Sequence, residues 1–150
     1  MVMREIPVVQ LGLGGVGRAL VEQVIAAEST GVPARRWRAH PRWVAVADSR
    51  GLLFRPEGLT SSELRNVLDA KAPGSGHGHG LDGLDGFVAG GSDDFLDRLL
   101  DRTDEPGILV DVTAVLGMEG ALLKAMERGW SVVLANKCPL TGRCMMSSHV

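Results

Sequence analysis

Cysteine is scarce in this chain: Cys138 and Cys144 are the only two in 150 residues, both near the end and without partners at metal-ligand spacing. That pattern excludes a disulfide framework and a zinc site, and it fits a reducing compartment. An excess of basic charge is also missing. With 16 Lys and Arg against 18 Asp and Glu, the net charge is −2 and the pI is near 6.1, so there is no electrostatic footprint for nucleic acid. No apolar run is long enough to cross a bilayer. The first expected strand begins by Ile6, which leaves no room upstream for a signal or transit peptide. The expectation is a soluble protein that works on small molecules without a nucleic-acid or membrane partner. It stays in the cytoplasm as written, a plastid remaining open if the N-terminus is incomplete.

What is present is enough apolar matter for one core. At 45% hydrophobic and 23% charged residues, a chain of this length forms a single compact domain. The apolar run Ile6-Pro7-Val8-Val9-Gln10-Leu11 stops at the cluster Gly12-Leu13-Gly14-Gly15-Val16-Gly17 and becomes helical. Gly12, Gly14 and Gly17 stand in G-x-G-x-x-G spacing after a strand and before a helix. In that setting the first glycine allows the sharp turn, the second lets a ligand approach the backbone, and the third lets the helix lie close on its strand. The N–H groups at the helix start attract a pyrophosphate. The plain alternative is a structural turn with no ligand.

Val16, Leu20, Val24 and Ala27 recur at helical spacing, giving an amphipathic helix of about 14 residues. Ser29 to Pro41, with Gly31, Pro33, Pro41 and three arginines, reads as an exposed connection. Trp43 to Asp48 is then a second strand that ends in an acid. An acid at such a tip can accept hydrogen bonds from the adenosine ribose, although Asp48 lies farther from Gly17 than the usual gap of about 20 residues. A solvated Asp-Ser turn is the competing reading. Ser49 and Arg50 follow and could hold a 2′-phosphate, so the choice between NAD and NADP stays open.

Thr60 to Lys71 reads as a helix opened by a capping box of Thr60 and Glu63. Gly74 to Gly86 reads as a glycine-rich surface loop in which His77 and His79, lacking a third ligand, are solvated, so no metal is expected. Phe87-Val88-Ala89 is a short third strand and Ser92 to Thr103 a helix. Ile108 to Thr113 is a strand covered on both faces, Met118 to Met126 a helix, and Trp130 to Ala135 a last strand. This alternation predicts an α/β fold, a Rossmann-like doubly wound parallel sheet of about five strands ordered 3-2-1-4-5. The ligand crevice falls between the glycine-turn strand and the Ile108 strand. Thr113, Asn136 and Lys137 sit at or beyond strand tips on the same edge as Gly12 and Asp48, and that convergence marks a candidate site.

Four blocks carry a family resemblance: Leu11 to Gly17, Val46-Ala47-Asp48-Ser49, Val110-Asp111-Val112-Thr113-Ala114, and Val132 to Thr141 with its Ala-Asn-Lys-x-Pro-Leu core. In this order they resemble homoserine dehydrogenases, most like the plant-type members. The resemblance implies NAD(P)-dependent interconversion of aspartate semialdehyde and homoserine, on the route to threonine and methionine. It implies that Leu13, Gly15 and Val16 contact the pyrophosphate, that Thr113 lies along the nicotinamide ribose, and that Lys137 sits beside the nicotinamide and the reacting carbon. An ammonium there could polarise the semialdehyde oxygen. Residues 1–143 then form the NAD(P)-binding domain, and 144–150 an atypical tail unlike the family's continuation. The expectation is a truncated chain lacking the substrate domain, inactive alone and binding its amino-acid substrate only if that domain is supplied. The alternative is a non-catalytic nucleotide-binding or regulatory module.

Overall fold

A computed structural model describes residues 4–31, 39–72, 80–90, 94–137 and Leu140. Its centre is β1 (Arg4–Leu11), which pairs in parallel with β2 (Ala39–Asp48) on one side and β5 (Ile108–Asp111) on the other. β6 (Ser131–Leu134) extends the sheet in parallel beyond β5. On the far side, β3 (Gly51–Phe54) and β4 (Phe87–Ala89) are added antiparallel, giving the six-stranded order β4-β3-β2-β1-β5-β6.

Alternation along the strands divides the core into two layers. Val9 and Leu11 of β1, Ala45 and Ala47 of β2, and Leu52 and Phe54 of β3 face one side. They meet Leu96, Leu99 and Leu100 of α3 (Asp94–Asp101) and Leu122 and Ala125 of α4 (Glu119–Glu127). Val46 and Leu53 face the other side, against Val21 of α1 (Gly15–Thr30) and Leu64 and Val67 of α2 (Ser61–Ala70). Helices thus cover both faces, as a largely parallel sheet requires. α2 begins with the expected capping box: Glu63 N–H donates to the Thr60 hydroxyl, and Thr60 N–H donates to the Glu63 carboxylate.

The fold class is the expected one, with three differences in detail. The sheet has six strands rather than about five, because Gly51-Leu52-Leu53-Phe54 forms a strand that the sequence reading passed over. This strand lies between β2 and the Phe87 strand, so both new pairings are antiparallel. A four-residue apolar run bounded by Gly51 and Pro56 carries little periodicity, and its pairing partner fixes it.

Second, β2 starts at Ala39 and runs through Pro41, which the sequence placed in an exposed connection. β3 reaches only as far as the partners Ala45 to Asp48, so at Pro41 the strand is an edge on that side, and a missing N–H costs no ladder bond there. Third, part of the glycine-rich stretch is structured. Gly80–Gly83 forms a 3-10 turn with Leu81 fully buried in the α1/α2 layer. His77 and His79 lie outside the described residues, as does the 144–150 tail. Among the described residues no helix is long and apolar enough to cross a membrane, and no group of three metal-ligating side chains occurs.

Candidate functional site

The glycine turn lies at the C-terminal end of β1, between the ends of β2 and β5. Gly12 N–H donates to the Ala47 carbonyl at 2.9 Å, and Val112 N–H donates to the Leu11 carbonyl at 2.9 Å. Gly12 takes φ 102°, which a residue with a Cβ rarely adopts, and an added Cβ would sit 3.0 Å from the backbone of Val112 and Thr113. A Cβ on Gly17 would collide with the Gly12 carbonyl oxygen. This contact draws α1 tightly onto its strand. Gly14 and Gly15 differ, because a Cβ on either would meet nothing within 4 Å. The chain is therefore closed on its protein side and open on its solvent side, a shape that fits a ligand resting on backbone N–H groups.

Gly14 is the N-cap of α1 and offers no side-chain cap, and no acidic residue stands in the first turn. The positive end of the helix is thus left unneutralised from within. The Leu13 side chain turns inward and is buried, leaving only its backbone at the mouth, whereas Val16 projects outward and is 61% exposed.

Beneath the turn lies a residue that the sequence reading passed over. Gln10 is fully buried; its Nε2 donates to the carbonyl oxygens of Gly12 and Gly17, each at 3.0 Å, and its Oε1 accepts from the Trp43 indole at 3.1 Å. A polar residue inside an otherwise apolar strand was the available signal, since such a side chain needs partners at hand.

At the β2 tip, Asp48 is bound within the protein. Its Oδ1 accepts from the backbone N–H groups of Arg50 at 2.8 Å and Gly51 at 3.2 Å, forming the turn into β3, and its Oδ2 accepts from Lys71 Nζ at 2.8 Å. The Asp48 side chain is 5% exposed and the Lys71 side chain 24%. Burial alone would raise the Asp48 carboxyl pKa. The hydrogen bond from Lys71, the Arg50 N–H, the Lys71 charge and the Gly51 N–H together outweigh it and hold the pKa below the usual aspartate value. Arg50 Nη1 pairs with Asp82 of the 3-10 turn at 3.2 Å but keeps 51% of its side chain exposed.

Across the crevice, fully buried Asp111 ends β5, and its Oδ1 accepts from both the N–H of Thr113 at 2.9 Å and its hydroxyl at 2.7 Å. Ala135 N–H donates to the Asp111 carbonyl at 3.0 Å, which ties the end of β6 to that of β5. Asn136 and Lys137 follow directly, Asn136 half-buried and Lys137 exposed. The structure thus gathers Gly12, Thr113 and the approach to Asn136 and Lys137 along one sheet edge. Asp48 and Arg50 join Lys71 and Asp82 in a separate charged cluster on the other side of the glycine turn.

No family model matches the sequence, and no curated protein matches it. Solved structures do. A hyperthermophilic archaeal homoserine dehydrogenase mutant in complex with NADPH aligns with a TM-score of 0.65 and 24% identity over 91% of this chain and 37% of its own. The homoserine dehydrogenase from Thermoplasma acidophilum gives 0.61 and 21% over 94% and 38%, and the putative one from Archaeoglobus fulgidus 0.56 and 21% over 93% and 37%. The chain spans little more than a third of the length of these neighbours. These three structural neighbours are homoserine dehydrogenases, one of them putative, and the likeness shows that this chain has the fold of a little over a third of such a protein, a doubly wound, mostly parallel sheet.

Proposed function

We propose that the chain is the nicotinamide-dinucleotide-binding part of a homoserine dehydrogenase, an oxidoreductase that interconverts aspartate semialdehyde and homoserine. The observation that carries this reading is the glycine turn at the switch point between β1 and β5, closed at Gly12 and Gly17 and open at Gly14 and Gly15. A pyrophosphate rests there on the backbone of Leu13, Gly15 and Val16 at the helix N-terminus. The NADPH-bound neighbour supports the cofactor class.

The charged cluster at the β2 tip supports NADP over NAD. The Asp48 side chain is 5% exposed, with Oδ1 holding two backbone N–H groups and Oδ2 holding Lys71, so little of its carboxylate faces a ribose and its charge is offset. Arg50 and Lys71 retain exposed surface beside it and suit a 2′-phosphate.

The bound nicotinamide would supply hydride transfer. The chain's own contribution is placement: Thr113 lies along the nicotinamide ribose, Asn136 lines the β6 tip, and the Lys137 ammonium stabilises the alkoxide oxygen of the substrate. Orienting a substrate against a cofactor is worth about 7–11 kcal/mol of barrier. The chain spans little more than a third of its neighbours' length, and we expect homoserine turnover to need the remaining part of such an enzyme to hold the amino acid.

The test compares nicotinamide reduction by this chain alone with that by the same chain joined at Thr141 to the remainder of a homoserine dehydrogenase, each with a Lys137→Ala control. Lys137-dependent turnover is expected from the joined protein only. A joined protein that binds NADPH yet is indifferent to Lys137→Ala would overturn the role given to that residue, and a chain that does not bind NADPH would overturn the reading as a whole.

A further inference from the structure

We propose that Asp111 is a positioning residue that fixes the Thr113 hydroxyl as a hydrogen-bond acceptor toward the crevice, so that this end of the site selects a ligand group that donates. The proposal rests on the dinucleotide reading above and deepens it.

A threonine hydroxyl has one proton and two lone pairs. Asp111 Oδ1 takes that proton at 2.7 Å while also holding the backbone N–H of Thr113 at 2.9 Å, so the residue is held through its backbone and its hydroxyl. One lone pair receives the N–H of Val115 at a long 3.4 Å. The other is left for whatever lies beside the turn, where Thr113 is half-buried and its backbone N lies 3.0 Å from the place a Gly12 Cβ would occupy. With its proton spent inward, Thr113 can only accept from a ligand. A sugar hydroxyl or a carboxamide NH2 satisfies it, whereas a phosphate or carboxylate oxygen meets lone pair against lone pair.

The second carboxylate oxygen makes a simple turn cap an insufficient account of Asp111. Oδ2 is buried and has no hydrogen-bond partner among the described residues, so the chain keeps half a carboxylate unsatisfied at the centre of its sheet edge. A serine or an asparagine could accept the same two bonds. At 2.7 Å the bond to Oδ1 holds the hydroxyl proton inward and leaves the outward lone pair as the acceptor.

The test measures binding of NADPH and of its adenosine-end fragment 2′,5′-ADP to the 150-residue chain by calorimetry, for wild type, Asp111→Asn, Thr113→Val and Thr113→Ser. NADPH affinity should fall about threefold in Asp111→Asn and about tenfold in Thr113→Val, and should stay close to wild type in Thr113→Ser. Affinity for 2′,5′-ADP should be unchanged in all three, which shows that the fold and the adenosine end are intact. NADPH binding that is indifferent to Asp111→Asn and Thr113→Val would overturn the proposal. So would parallel loss of both ligands, because Asp111 would then only support the fold. If wild type binds neither ligand, the dinucleotide reading itself fails and this proposal falls with it, an outcome distinct from the other two.

Discussion

The side-chain amide of Gln10 and the carbonyl oxygen of Gly17 are joined by a 3.0 Å hydrogen bond that lies out of water, so the last turn of β1 grips the first turn of α1. Trp43 fixes the sense of this bond. An indole N–H can only donate, so the Gln10 oxygen must face Trp43 and its NH2 must face the glycine carbonyls. The geometry of the open turn above is thereby set from beneath by one amide shared between β1, β2 and α1.

Removing that amide should be costly. Gln10→Leu keeps the volume but strands the Trp43 N–H and takes a donor from the Gly12 and Gly17 carbonyls, and a buried group left without a partner costs about 1–3 kcal/mol. A total loss of about 2–4 kcal/mol is expected in urea unfolding. A loss under about 0.5 kcal/mol would mean that these groups find other partners.

Gly14 and Gly17 should respond in opposite ways to an added side chain. At Gly14 the Cβ enters open space at a φ of −72°, so Gly14→Val should leave stability within about 1 kcal/mol while abolishing NAD(P) binding, because the side chain stands where the pyrophosphate must rest. At Gly17 even alanine meets the Gly12 carbonyl, and destabilisation of about 1–3 kcal/mol is expected from the crowding. Calorimetry and thermal unfolding on the two variants separate these effects. Equal nucleotide binding by wild type and Gly14→Val would remove the glycine turn as the ligand site.

Cofactor choice should run through Arg50. If the 2′-phosphate lies at the β2 tip, Arg50→Ala should weaken NADP binding by about tenfold, the worth of one charge-assisted hydrogen bond, and leave NAD nearly unchanged. Lys71→Ala should weaken NADP as well and should also raise the Asp48 pKa, since the Lys71 hydrogen bond and charge help to hold that carboxyl down. Equal changes for the two cofactors would place Arg50 away from the adenosine ribose.

The Asp48 pair should also mark the acid limb of stability. A carboxyl whose folded pKa lies below its unfolded value of about 3.9 contributes stability that is present above that pH and is lost as the pH falls through the folded value. The wild-type melting temperature should therefore drop below about pH 4 more steeply than that of Asp48→Asn, which cannot titrate. Parallel curves for the two proteins would show that Asp48 gains nothing from Lys71 and the turn.

The sequence determined this protein's local grammar. The glycine spacing required a turn that only Gly12 can make and a contact that only Gly17 can admit, Thr60 and Glu63 start their helix as a capping box, and apolar runs alternating with helical stripes led to an α/β sheet covered on both faces. Each of these follows from interactions between neighbours within a few residues, or from side chains that must share one face. What the tertiary structure decided depends on residues distant in sequence. Gly51 to Phe54 becomes a strand because β2 and the Phe87 segment lie on either side of it, and Pro41 is tolerated within β2 because β3 stops short of it. Asp48 read as a ribose ligand, with a solvated turn as the alternative. Its oxygens hold the N–H groups of Arg50 and Gly51 in the turn and Lys71, 23 residues on, a partner that only the fold supplies. Gln10 is a polar residue in an apolar strand whose donor, Trp43, lies 33 residues away and one of whose acceptors is Gly17. Buried polar groups must be satisfied, but a sequence states only the need, and the fold chooses the partner.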